Sequence, residues 1–126
     1  MMSLTTETTL TLDFKEGIMK FVKIAQTTEL MEGTKKKILV ENREILLVNL
    51  KNSYYALDNK CPHLGGSLFD GTLESGTIIC PRHHSQFDVT TGKNLEGAKI
   101  LFVRFPVKDA HVFPVKVEGS DILIEI

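Results

Sequence analysis

The chain places its only two cysteines in two similar segments that also contain proline and histidine. The first segment is CPHLGG, residues 61–66, and the second is CPRHHSQFD, residues 80–88. The four candidate ligands are Cys61, His63, Cys80 and His83. Two thiolates and two imidazoles suit either tetrahedral zinc or an iron–sulfur cluster. The spacing therefore predicts one metal centre built from two loops, and these residues alone leave the choice of metal open.

The residues beside the candidate ligands favour stiff loops that pack closely. Pro62 and Pro81 each follow a cysteine and bias it toward extended conformations. Gly65 and Gly66 permit positive φ and close backbone approach, so that N–H groups can point at sulfur. In an extended Cys-x-His segment the two side chains project to the same side. Each loop can then give one sulfur and one nitrogen to a single site.

The composition describes one globular domain. The chain has 126 residues and a net charge of −1, and its densest basic run, at Lys35, Lys36 and Lys37, is interpreted as a solvated strand start. Nothing indicates a nucleic-acid partner or a membrane span of ~18 apolar residues. The N-terminus lacks the features of a secretory signal. We therefore expect a cytoplasmic protein whose cysteines hold metal or do redox work.

Short strands separated by turn residues predict an all-β fold, a small sandwich or barrel. The predicted strands cover residues 20–25, 36–41, 44–50, 54–58, 76–80, 85–89 and 99–105, followed by a closing hairpin over 113–119 and 121–126. Residues 27–33 are predicted to form a short helical turn. In the closing hairpin, the side chains expected to alternate inward are Val115, Val117, Ile122, Ile124 and Ile126.

The segment between the central strands differs from the rest in composition. Residues 58–90 are rich in Gly, Pro and His, and are predicted to form a small loop-rich, cluster-binding subdomain on the β base. Residues 1–18 are interpreted as an N-terminal extension, either flexible or an extra edge strand.

CPHLGG and CPRHHSQFD resemble the two cluster-binding loops of Rieske iron–sulfur proteins, whose pattern is Cys-x-His and then Cys-x-x-His. The resemblance covers residues 19–126 and implies a Rieske domain with an antiparallel β-sandwich or barrel base. It also implies one [2Fe–2S] cluster per chain. By the family's motif, Cys61 and Cys80 would hold one iron, and His63 and His83 the outer iron.

The resemblance also suggests which residues surround the cluster. They are Leu64, Gly65, Gly66, Ser85, Phe87 and Pro106. Ser85 matches a serine that donates to a cluster sulfide in respiratory Rieske proteins, but Phe87 stands where those proteins have a tyrosine. Pro106 is the candidate for a third covering loop, with AKILFVRF as an apparent insertion before it. His84 stands where glycine is most frequent, so a slightly different backbone is expected in the second loop.

The family implies a one-electron carrier, not an enzyme. A ferredoxin of this type passes electrons from a reductase to an acceptor such as an oxygenase, and the chain is similar to soluble Rieske-type ferredoxins. The alternative is a small Rieske-type subunit of a larger redox enzyme such as nitrite reductase. An oxygenase in its own right would need a second domain with a mononuclear iron site, for which no chain remains. Because Phe87 has no hydroxyl group, the predicted potential is about −150 to 0 mV.

Overall fold

The computed structural model describes residues 20–62, 65–100 and 103–126. Within these residues the structure is nearly all β, which confirms the predicted fold class. The strands are β1 (Phe21–Gln26), β2 (Lys35–Val40), β3 (Arg43–Leu50), β4 (Ser53–Asp58), β5 (Thr72–Glu74), β6 (Thr77–Ile79), β7 (Gln86–Asp88), β8 (Asn94–Glu96), β9 (Ala98–Ile100), β10 (Val103–Phe105), β11 (Val112–Phe113), β12 (Val115–Glu118) and β13 (Asp121–Glu125). Two single 3-10 turns cover Thr27–Glu29, inside the predicted helical segment, and Leu68–Asp70. Residues 1–18, interpreted from the sequence as an N-terminal extension, lie outside the described residues.

The strands form antiparallel sheets, and the middle one separates two hydrophobic clusters. This sheet has the order β11-β4-β3-β2. The central strand β3 is buried on both faces, because its side chains alternate between the two sides. Ile45 and Leu47 pack toward the sheet β1-β13-β12, whereas Leu46 and Val48 pack into the cluster that contains both cysteines. The apolar residues of β3 form a continuous run because both faces of this strand pack against other parts of the fold.

A third sheet, with the order β5-β6-β7-β8, carries the second cysteine loop. Strand β6 ends immediately before Cys80, and β7 begins just after Ser85. The first cysteine loop follows β4, and the 3-10 turn at Leu68–Asp70 then leads into β5. At Gly71 an added Cβ would overlap the carbonyl oxygen of Ile79, so this segment lies tightly against the strand that delivers Cys80.

Two sequence expectations are wrong in detail. Residues 99–105 are predicted to form one strand, whereas the structure has two strands, β9 and β10, that pair antiparallel, with Val103 opposite Ile100. In the closing hairpin Ile122 and Ile124 are buried as expected, whereas Val117 is 45% exposed. Val117 lies on β12, which is an edge strand of its sheet, so solvent reaches its side chain.

Within the described part of the chain, we find no helix with the length and apolar character needed to cross a membrane.

Candidate metal centre

The first cysteine loop is closed by two backbone hydrogen bonds around Cys61. The N–H of Cys61 donates to the carbonyl of Gly66 at 2.6 Å, and the N–H of Gly65 donates to the carbonyl of Cys61 at 3.1 Å. Gly65 has φ of 72°, a left-handed conformation that glycine adopts readily. The side chain of Cys61 is buried.

The second loop repeats this pattern around Cys80. The N–H of Cys80 donates to the carbonyl of Ser85 at 2.8 Å, and the N–H of His84 donates to the carbonyl of Cys80 at 3.0 Å. His84 has φ of 63° and so takes the conformation that Gly65 takes in the first loop. The two loops therefore share a left-handed residue at matching positions, although the second loop has histidine there. The left-handed backbone is kept, at a cost of about 1–2 kcal/mol for a residue with a Cβ.

The two loops meet at Gly66. A Cβ added there would lie 3.1 Å from Sγ of Cys80 and 3.2 Å from Cδ of Arg82. A side chain at this position would therefore force the thiol of the second loop and Arg82 to shift by a few tenths of an ångström. Cys61 and Cys80 share one buried cluster with Leu68, Ile78 and other apolar residues. The two thiols, both within the described residues, are not joined by a disulfide.

Ser85 carries a buried hydroxyl group with no hydrogen-bond partner in the described part of the chain. Its Oγ is inaccessible to solvent and finds no hydrogen bond among the described residues. Burying an unpaired hydroxyl costs about 1–3 kcal/mol. An acceptor supplied by a bound group would remove this cost, and the backbone of Ser85 is tied directly to Cys80.

Asn59 anchors the first loop, and this role was not predicted from the sequence. Its buried amide group donates to Oε1 of Glu44 at 3.1 Å and to Oγ of Ser67 at 3.0 Å. Its Oδ1 accepts from the N–H of Phe69 at 2.8 Å. These bonds tie the two ends of the loop together and to β3. The available signal was a lone asparagine between the apolar end of β4 and the cysteine.

Lys35 holds the same region from the edge of the central sheet. Its Nζ donates to the carbonyl of Phe69 at 2.7 Å and lies 4.7 Å from the centre of the Phe69 ring. The segment that follows the first loop is thus fixed to both β2 and β3.

Comparison with known proteins identifies the family. Residues 20–100 match the family described as Rieske [2Fe-2S] domain. The chain belongs to the Rieske [2Fe–2S] family. The ferredoxin component of the naphthalene 1,2-dioxygenase system of Pseudomonas putida is 32% identical over 108 residues, which are 85% of this chain and 96% of that protein. The ferredoxin component of the alkene monooxygenase system of Xanthobacter autotrophicus is 33% identical over 83% of this chain and 80% of its own.

A solved structure gives the same result for the fold of this Rieske chain. The ferredoxin of carbazole 1,9a-dioxygenase from Nocardioides aromaticivorans IC177 has a TM-score of 0.70 and is 30% identical. The match covers 82% of this chain and 95% of that one. The predictions of a Rieske fold, a [2Fe–2S] cluster and an electron-transfer role are confirmed. The alternative of a subunit of a larger enzyme is not favoured, since these relatives are ferredoxin components of similar length.

The described residues fit a [2Fe–2S] cluster. The inorganic sulfides of such a cluster can accept a hydrogen bond from the Ser85 hydroxyl, which has no acceptor among the described residues. A tetrahedral zinc ion would bring no acceptor beyond its own ligands. No three His, Cys, Asp or Glu side chains in residues 20–62, 65–100 and 103–126 converge as around a single ion. A two-iron cluster does not require this, because it divides its ligands into two pairs.

The other predicted site residues lie in varied surroundings. His83 is half-buried and Phe87 is fully buried in the cysteine-containing cluster. Pro106 is exposed after β10, but the next residue, Val107, packs against the same cluster. His63 and Leu64 lie outside the described residues. The structure thus brings both cysteines, Gly66 and Ser85 together, and leaves the covering role of Pro106 a prediction.

Proposed function

We propose that the protein is a Rieske-type ferredoxin whose cluster is held by Cys61, His63, Cys80 and His83. The observation that carries this assignment is the repeated loop geometry, which buries both thiols and sets Sγ of Cys80 against Gly66. Buried cysteines suit the inner iron, and the half-buried His83 suits the outer iron near the surface. The proposed Rieske domain covers residues 19–126, with its cluster-binding subdomain at about 58–90.

Bound in this site, the cluster supplies reversible one-electron chemistry at a potential of about −150 to +300 mV. The residues of this chain set where in that range the protein works. Hydrogen bonds to sulfur raise the potential, and the Ser85 hydroxyl is placed to donate one. Phe87 brings no second hydroxyl. We therefore propose a midpoint of about −150 to 0 mV.

The proposed partners are a reductase as donor and an oxygenase as acceptor. The names of the relatives support this, since each is the ferredoxin component of a dioxygenase or monooxygenase system. We propose that electrons pass through the surface around His63, Leu64, His83 and His84, which include the proposed ligands of the outer iron. We place the protein in the cytoplasm, consistent with two thiols that form no disulfide among the described residues.

A potentiometric titration of the anaerobically purified protein tests the carrier function. We expect a reversible one-electron wave at about −150 to 0 mV. Full reduction should consume one electron per chain, and reoxidation should return the starting spectrum. A Leu64→Asp variant should keep this titration and slow transfer to the partner. A midpoint above about +150 mV, or irreversible bleaching on reduction, would contradict the proposed function.

A further inference from the structure

A strip of three lysines and one leucine runs along the flank of the first cysteine loop. It consists of Lys35, Lys37, Leu39 and Lys60, and is called the lysine strip below. The three β2 residues share one face, because side chains alternate along a strand. Nζ of Lys35 and Nζ of Lys37 lie 4.7 and 6.0 Å from the centre of the Phe69 ring. Leu39 is 69% exposed, which is unusual for a leucine.

Lys60 joins the strip to the cysteine loop. It lines the same surface hollow as Leu39, and it directly precedes Cys61. Its Cγ would lie 3.7 Å from a Cβ added at Gly65, so its side chain runs along the loop. The strip therefore extends to the first cysteine loop.

The lysines of the strip differ in their pairing from other cations of the described residues. Ion pairs with carboxylates are formed by Lys20–Glu41, Lys23–Asp121, Lys36–Glu29, Arg43–Asp58 and Lys116–Glu118. Among the described residues, no such pair involves a lysine of the strip.

Three carboxylates border the strip. Glu44 and Asp58 line the hollow, and Asp70 is exposed beside Phe69. Asp58 is paired with Arg43, which lines the same hollow, so these two charges offset each other. The three ammonium groups of the strip then face Glu44 and Asp70, which leaves the strip positive, although the whole chain has a net charge of −1.

We propose that the lysine strip is a docking surface for an acidic protein surface on the redox partner, which rests on the proposed electron-carrier function. Exposed charges of one sign steer an oppositely charged partner and raise association rates about 10–1000-fold at low salt. Leu39 supplies an apolar contact among the charges, as interface centres do. A partner seated there lies beside the first cysteine loop.

Two small redox complexes of opposite charge test the electrostatic potential of the surface beside the first cysteine loop. The protein is reduced anaerobically, and each chain then gives one electron to anionic hexacyanoferrate(III) or to cationic tris(phenanthroline)cobalt(III). At a low ionic strength of about 0.1 M the Debye length is about 10 Å, so charges of the strip act at the first cysteine loop, whereas charges about 20 Å away are largely screened. We expect the double variant K37E/K60E to react about tenfold more slowly with the anionic complex and faster with the cationic one. Lys35 is left unchanged because its Nζ holds Phe69.

The matched control reverses two exposed lysines elsewhere, K51E/K93E. Lys51 lies just beyond the end of β3 opposite Glu44, about 20 Å away at ~3.3 Å per residue. This control should leave both rates within about twofold of wild type. At about 0.5 M ionic strength the differences should vanish, because the Debye length falls to a few ångströms. Poly-L-glutamate, an acidic macromolecule, should slow the anionic reaction of wild type but not that of K37E/K60E.

The outcomes separate this proposal from the function on which it rests. Equal low-salt rates for wild type and K37E/K60E, or no competition by poly-L-glutamate, would overturn the lysine strip and leave electron transfer standing. A protein that gives no electron to either complex would remove the carrier function and the strip with it.

Discussion

The Ser85 hydroxyl offers a test in which the sign of the effect depends on the cluster. Its Oγ is buried and has no hydrogen-bond partner within residues 20–62, 65–100 and 103–126. Removing such a group relieves an unfavourable burial of about 1–3 kcal/mol. The cluster-free Ser85→Ala variant should therefore be more stable to urea than cluster-free wild type, by about 1 kcal/mol.

With the cluster bound, the same substitution should lower the reduction potential. A hydrogen bond to a charged acceptor is worth about 1.5–3 kcal/mol, and it strengthens when an added electron makes the acceptor more negative. If about half of that bond energy depends on the redox state, the loss is roughly 0.8–1.5 kcal/mol. Since 1.4 kcal/mol corresponds to 59 mV for one electron, we expect a drop of about 30–60 mV.

Protein-film voltammetry and urea unfolding measure the two effects on the same preparations. Ser53→Ala is the matched control, because Ser53 is exposed at the start of β4, away from the cysteine loops. It should change neither quantity. An unchanged or higher potential in Ser85→Ala, with lower stability of its cluster-free form, would refute the assignment of Ser85 as a donor to the cluster.

Three further substitutions test the loops. Gly66→Ala places a Cβ 3.1 Å from Sγ of Cys80, so its iron content should fall below that of wild type. The control Gly33→Ala has nothing within 4 Å of its added Cβ and should keep the cluster. Equal iron content in Gly66→Ala and wild type would contradict the crowding at Gly66. Asn59→Ala removes three side-chain hydrogen bonds and should lower the free energy of unfolding, measured by urea titration, by about 2–4 kcal/mol. A loss below about 1 kcal/mol would contradict the anchoring role of Asn59. His84→Gly removes the side chain that makes the left-handed φ of 63° unfavourable, so the free energy of unfolding should rise by about 1 kcal/mol. The visible spectrum should stay unchanged. A loss of stability would instead show that the His84 side chain holds the loop.

The long strands and the paired cysteine loops could be predicted from sequence because their signals are local. Strand β3 reads as a continuous apolar run, and the closing hairpin has a turn at Gly119 flanked by alternating residues. The antiparallel pairing of β9 with β10 could not be predicted in this way. Its sequence, KILFVRF, contains no glycine, proline or asparagine to mark a turn, so one strand was the simplest interpretation.

The cluster-binding subdomain shows where sequence reasoning ends. Strands β5 and β8 have three residues each, too few for a periodic pattern. The anchoring role of Asn59 depends on Glu44 and Phe69, which are distant from it in sequence and adjacent only in the fold. Gly66 was expected to permit close approach, but only the structure identifies Cys80 as the group that it faces.

Pulsed EPR tests whether two histidines and two cysteines of this chain hold a [2Fe–2S] cluster. The protein is prepared with ¹⁴N- and ¹⁵N-labelled histidine and reduced with dithionite. We expect a protein that is EPR-silent when oxidised and shows the low average g of a mixed-ligand centre when reduced. Hyperfine couplings from two histidine nitrogens should change with the isotope, and a His83→Ala variant should lose one of them. A reduced spectrum without histidine coupling, or a colourless protein with stoichiometric zinc, would contradict ligation of a cluster by these four residues.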